Sequence, residues 1–280
     1  MSSALTQINF GGNMRHLALH ISLIGALGIL TLAVHYLFFI PLGLCLGALF
    51  PLMHEATHRH IFVRPKANHR LAFCCGAVLL MSATWFRHFH QAHHRYTQDP
   101  KRDPELAIPK PSSIRAYLWY LSGLPTWTSS LSTLIRYAFG KGNDVFLPQR
   151  KQPQVKAEAR ALMVLHAGLL IWVVWQPALI LLTYAPLVVG QIFLRAFLLA
   201  EHGGLPLVSG VMDNTRTTHT VAWLRWLTWN MSFHKEHHAS PAVPYDKLPV
   251  IHEILKSEAC PSYTTFHKAY ISELKHQRTS

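Results

Sequence analysis

Charge is scarce in this sequence: Asp, Glu, Lys and Arg make up 14% of 280 residues, where soluble domains carry about 25%. That shortage argues against an ordinary soluble globule. Acid is the scarcer sign, with 13 Asp and Glu against 26 Lys and Arg, for a formal charge of +13. Cysteine is sparse too. Cys45, the adjacent Cys74 and Cys75, and Cys260 make no CxxC pair, so neither a disulfide framework nor a zinc ribbon is indicated. No repeat, low-complexity tract or second domain is visible, and residues 1–280 read as one domain.

A basic balance suits either nucleic acid or a membrane, and the distribution of charge separates the two. His16 to His54 is a tract of 39 residues without one Asp, Glu, Lys or Arg, and Ala161 to Leu194 is another of 34. A hydrocarbon core about 30 Å thick takes about 20 helical residues, so each tract is long enough for a two-helix hairpin. An integral membrane protein with about four spans follows, and nucleic-acid binding, which needs its cations on a solvated face, does not. The first apolar stretch is too long for a signal-peptide core and reads as an anchor.

The spans fall near Leu17–Val34 and Phe39–His58, with a turn around Pro41, and on either side of Trp175, Gln176 and Pro177. Arg59, Arg64, Lys66 and Arg70 follow the second span, and Arg150, Lys151, Lys156 and Arg160 precede the third. The positive-inside rule puts these ends, and with them both termini, in the cytoplasm. Leu71 to Phe86 is a charge-free run of 16 residues, just short of the usual span of about 17–25. It is expected to dip into the membrane or lie at its surface. Tyr117 to Phe139, rich in Trp, Tyr, Ser and Thr, has the composition of an interfacial segment.

What the sequence has in abundance is histidine, 20 residues in all. Three boxes stand out: His54-Glu55-Ala56-Thr57-His58, His90-Gln91-Ala92-His93-His94 and His234-Lys235-Glu236-His237-His238. Residues three and four apart share a helix face, so each box aims two or three imidazoles in one direction. Imidazole suits iron, zinc, copper and nickel, and eight such ligands are too many for one ion, so two metals are the economical reading. His202, at the cytoplasmic end of the fourth span, is a ninth candidate. Asn230 lies four residues before His234 and completes a coordination shell, directly or through water, if that segment is helical. The first box also matches HExxH, in which the glutamate is the general base of a zinc peptidase. That reading leaves two HxxHH boxes unexplained, so Glu55 is expected to orient a ligand imidazole instead. Asp99, Asp103 and Glu201 are candidates for the same role. His16, His20, His35 and His166 are expected to be packing residues, and His60, His69, His88, His219 and His252 solvated or supporting ones.

These boxes, the Glu201-His202-Gly203-Gly204 segment, Thr215-Arg216-Thr217 and the run from His237 through Pro241, Pro244 and Leu248-Pro249 resemble the membrane fatty acid desaturase and hydroxylase superfamily over roughly residues 40–255. The HxxHH second box is similar to that of desaturases, and the EHGG segment is similar to an element of alkane hydroxylases. The resemblance implies an all-α membrane domain whose histidine-rich helical cap faces the cytoplasm of a bacterial inner membrane. It implies two iron ions held by His54, His58, His90, His93, His94, His202, His234, His237 and His238, with O2 as co-substrate. It implies desaturation of an acyl or lipid-like chain, with electrons from a separate ferredoxin, rubredoxin or cytochrome b5 type carrier. A hydrocarbon hydroxylase, a desaturase of a small specialised metabolite and, more distantly, a non-enzymatic metal- or haem-binding membrane protein are the alternatives.

Overall fold

The computed structural model describes residues 3–208 and 210–276. The chain is almost wholly helical, in the order α1 Phe10–Ala33, α2 Phe39–Gly47, α3 Leu49–His58, α4 Pro65–Leu79, α5 Ala83–Tyr96, α6 Ile114–Leu121, α7 Leu124–Ala138, α8 Gln152–Trp175 and α9 Tyr184–His202. There follow α10 Val211–Asn214, β1 Thr217–Thr218, α11 Ala222–Leu227, α12 His234–Ala239, α13 Leu248–Leu255, β2 Ala259–Cys260 and α14 Tyr263–His276. The two short strands pair in parallel.

Among the described residues, four helical stretches are long and apolar enough to cross a membrane: Ala4–Ala33, Tyr36–His58, Gln149–Trp175 and Pro177–His202. The first and third turn large apolar side chains such as Ile29, Leu32, Val164 and Trp172 outward, as helices facing lipid do. The second and fourth form the inner pair. On α2, Gly43 and Gly47 are four residues apart, and a Cβ on either would collide with the backbone of α9 at Pro186 or Gly190. Small residues at this spacing let membrane helices approach closely, where van der Waals packing replaces a hydrophobic driving force. The turn between the first two spans lies at residues 34–38 rather than at Pro41, which sits in the first turn of α2. A proline there gives up an N–H that has no intrahelical partner in any case.

Leu71 to Phe86 falls across α4 and α5, which meet at a bend of 98°. Leu80 closes α4 in the left-handed conformation, and the Ser82 hydroxyl caps α5 by accepting from Trp85 N–H at 3.2 Å. Glu158 on α8 then fixes that corner, accepting from Ser82 Oγ at 2.7 Å, Thr84 N–H at 2.9 Å and Thr84 Oγ1 at 2.6 Å. A carboxylate at a helix N-terminus also meets the positive end of the helix dipole. The pair enters after His58 and returns beside it, since His90 on α5 lies against His58 on α3. The segment therefore doubles back on itself, and it keeps the first two histidine boxes at the same end of the molecule.

Residues 211–276 close over that end. His16 of α1 stacks on Trp229 at 3.8 Å between ring centroids, ties to the Tyr245 hydroxyl at 3.2 Å, and so anchors the first span to the cap. His20 and His166, bonded to the carbonyls of Cys45 and Ala77, are packing residues as expected.

Candidate metal centre

Each histidine box rides on a helix, and the helical repeat sorts its members. His54 and His58 stand one turn apart on α3, whose C-terminus is the end of the second span. His90, His93 and His94 are on α5, His202 is the last residue of α9, and His234, His237 and His238 are on α12. Two clusters result, with the nitrogens in each lying within 4.8 Å of one another: His54, His58, His90, His94 and His237, and separately His93, His202, His234 and His238. The four-apart pairs 90/94 and 234/238 stay together, while 93 and 237, set off around the helix by about 100° from 94 and 238, turn to the other cluster. The two HxxHH boxes thus serve both clusters at once. Seven of the nine rings are buried, and His58 and His94 are half-buried.

The facing atoms are Nε2. His58 Nε2 stands 2.8 Å from His90 Nε2, His94 Nε2 is 2.9 Å from both His90 and His237 Nε2, and His234 Nε2 is 3.1 Å from His202 Nε2. An imidazole nitrogen has a single in-plane hydrogen or lone pair, so His94 Nε2 cannot satisfy two ring nitrogens at once. A cation at the point of convergence resolves the conflict: two donors at right angles on one ion, each bonded at about 2.1 Å, stand about 3 Å apart.

The opposite ring nitrogens are held by oxygen. His93 Nδ1 bonds Asp103 at 3.0 Å, His202 Nδ1 donates to the Asn214 carbonyl at 2.8 Å, and His238 Nδ1 to Thr97 Oγ1 at 3.2 Å. Glu201 Oε1 lies 3.4 Å from His234 Nδ1, and Glu55 Oε1 lies 3.3 Å from His54 Nδ1. The three hydrogen bonds put the hydrogen on Nδ1 of His93, His202 and His238 and leave their Nε2 lone pairs free for an ion. Burial and the neighbouring imidazoles push His234, His237 and His238 well below the usual histidine range, which keeps them neutral and able to ligate.

Glu55 and Glu201 lie beside the Nδ1 atoms of His54 and His234 at 3.3 and 3.4 Å. Asp99 does not: it pairs with Arg102 at 2.6 Å in an exposed turn, and Asp103 takes the histidine instead. Asn230 departs from expectation as well. Residues 228–232 form turns rather than helix, Asn230 takes a positive φ of 56°, and its amide donates to the Tyr245 carbonyl at 2.9 Å, away from both clusters. His60 and His252 are supporting residues, bonded to Glu55 at 3.0 Å and Glu236 at 2.7 Å. Sequence reasoning missed Thr97, Asn214, Glu105 and Lys110. The Asp-Pro-Glu order at 103–105 is a helix-start signature that marks this turn as ordered, but no spacing rule aims it at a histidine.

Beside the clusters lies a cavity of about 290 Å³. His54, His90, His93 and His234 reach its wall, Phe50, Phe86 and Phe89 give it an apolar flank, and Thr126, Ser129 and Thr133 line it from α7. Glu105, Lys110, Arg195 and Glu201 add charged side chains. Burial works to raise the Glu105 carboxyl, but the Lys110 ammonium 2.7 Å away and His93 outweigh it and hold the acid well below the usual range. Arg195 is a cation within the fourth span, seven residues or two turns before His202, and an ionisable group at such depth is costly unless a site uses it.

Among proteins of known function, this chain is 24% identical over 230 residues to the sphingolipid delta(4)-desaturase of Drosophila melanogaster, covering 80% of this chain and 67% of that one. It is 24% identical over 249 residues to a fatty acid desaturase of Bacillus subtilis strain 168, covering 81% and 71%. The fatty acid desaturase family matches residues 31–270. With four membrane-spanning helices and two histidine clusters at one end of them, the chain is an integral membrane protein and belongs to the fatty acid desaturase family.

Proposed function

We propose that this protein is an O2-dependent di-iron desaturase of an acyl or lipid-like chain. The observation that supports it most is the convergence of nine imidazole nitrogens into groups of five and four beside a cavity with an apolar flank. The residues that would hold the two ions are His54, His58, His90, His94 and His237 in one group, and His93, His202, His234 and His238 in the other. Two irons with O2 supply the power to take hydrogen from an unactivated C–H bond, which no side chain can do. Loss of two hydrogens from adjacent carbons, with two electrons and two protons from outside, reduces one O2 to two waters. A separate carrier of ferredoxin, rubredoxin or cytochrome b5 type supplies the electrons.

The chain's own residues bind and orient. Phe50, Phe86 and Phe89 exclude water along the path of the chain, and Arg195 meets a polar oxygen of the substrate. Asp103, Glu55 and Glu201 fix the imidazoles that face the ions. In this reading residues 1–280 form a single domain in a bacterial inner membrane, and the positive-inside rule supports a cap and both termini on the cytoplasmic side.

Lipid and metabolite profiling of a bacterial host expressing the protein beside a His94→Ala variant tests the reading. A product two hydrogens lighter, present only with the unaltered protein, is expected. A product heavier by one oxygen would replace desaturation with hydroxylation. A product that persists in the His94→Ala strain would overturn the ligand assignment.

A further inference from the structure

A second cleft, of about 690 Å³, lies against the side of α5 that faces away from the histidine-walled cavity, and its size suits a small polar ligand. Thr84, Arg87 and Gln91 of α5 face this cleft, whereas Phe86, His90 and His93 face the cavity. The helix separates the two spaces. Six cations line the cleft from distant parts of the chain: Arg59 after α3, Lys66 and Arg70 on α4, Arg87 on α5, and Arg150 and Lys151 just before α8. Its lining includes no Asp or Glu, and among the described residues none of the six forms an ion pair. Arg87 is half-buried and donates to the carbonyl of Thr57, the neighbour of His58.

The positive-inside rule asks for cations near the ends of spans, but it does not require them to converge on one cleft. Like charges gathered in this way repel, and an anion between them turns the repulsion into attraction. Arg59 follows the span Tyr36–His58, and Arg150 and Lys151 lie in the first turn of the span Gln149–Trp175. The cleft therefore stands at the level where two spans leave the hydrocarbon. We propose that it binds the phosphate of an anionic phospholipid headgroup, at a site separate from that of the proposed reaction. Guanidinium groups pair with phosphate oxygens through two parallel N–H donors, and basic pockets between membrane helices take anionic headgroups. A headgroup seated there ties the ends of two spans to the back of the helix that carries His90, His93 and His94.

The test titrates the full chain, purified in detergent, with short-chain phosphatidylglycerol, phosphatidylcholine of the same chain length and inorganic phosphate. Native mass spectrometry and thermal unfolding report binding. One phosphatidylglycerol per chain is expected to be retained and to raise the unfolding midpoint, as a ligand of the folded state does, whereas phosphatidylcholine does neither. A double variant, Arg59→Gln with Arg150→Gln, replaces exposed side chains. It is expected to bind the lipid about 25-fold more weakly, about fivefold for each cation removed. Lys268→Gln with Lys275→Gln removes the same charge on α14, outside the cleft, and should leave binding unchanged. Equal weakening in the two double variants would reduce the effect to net charge and overturn the site. Inorganic phosphate or phosphatidylcholine binding as tightly as phosphatidylglycerol would overturn the anionic headgroup. Failure to retain phosphatidylglycerol would overturn the proposal as well, and an acidic ferredoxin that binds the unaltered protein but not the Arg59→Gln, Arg150→Gln variant would then make the cleft a protein-docking surface.

Discussion

Around the four-histidine cluster three Nδ1 atoms are hydrogen-bonded from outside, to Asp103, Asn214 and Thr97, and the fourth, on His234, stands 3.4 Å from Glu201 without a hydrogen bond. Around the five-histidine cluster, Glu55 faces His54, but His237 Nδ1 is buried without a partner. The rings of both clusters brace one another, but here that packing has less outside support: His58 packs edge-on against His90, His94 and His237 with centroids 4.6–4.9 Å apart, and His234 packs on His238 at 4.5 Å in the other cluster. The contrast teaches that a metal position can be fixed in two ways. One cluster is oriented by outside hydrogen bonds that set tautomer and direction; the other relies on a surplus of donors and on mutual packing.

Removing a ring that faces an ion should cost most, and it separates the clusters. His237→Ala and His202→Ala are each expected to abolish desaturation and to leave about one ion per chain, the first emptying the five-histidine cluster and the second the four-histidine one. Metal analysis of the purified variants checks this, and two ions retained in either would break the division. The outside support should matter next. Asp103→Ala, which frees His93 and uncaps the turn carrying Glu105, is expected to weaken the second ion by about 10–100-fold. Asp99→Ala, whose carboxylate meets Arg102 and the Lys101 N–H in an exposed turn, should leave metal content unchanged. Equal effects of the two substitutions in a metal titration would remove the distinction between oriented and self-braced sites. The smallest effect on the clusters should come from the membrane end. At Gly190 an alanine Cβ would strike the Gly43 carbonyl oxygen, and overpacking of this kind costs about 1–3 kcal/mol. Thermal unfolding in detergent should report it as a lower midpoint with both ions still bound.

Much of this was legible from residue order because a helix converts spacing into direction. The 39- and 34-residue charge-free tracts became the four spans, and the three boxes became rings on α3, α5 and α12 that converge at one end of the molecule. Where the local backbone was not helical, the same rule misled. Asn230 shares a helical face with His234 only on paper, since turns at 228–232 swing its amide to Tyr245. Asp99 and Asp103 were indistinguishable in the sequence, because which carboxylate reaches His93 depends on how a loop closes rather than on a repeat.

The sequence by itself determined the membrane, the helices and the nine imidazoles, since hydrocarbon excludes charge and the helical repeat fixes which side chains stand together. Tertiary structure alone decided the partition into five and four, the return of α4 and α5 to the end they left, and the tie of Glu105 to Asp103 and Lys110. Those arrangements join residues from distant parts of the chain, and no local periodicity encodes a contact that exists only once the helices have packed.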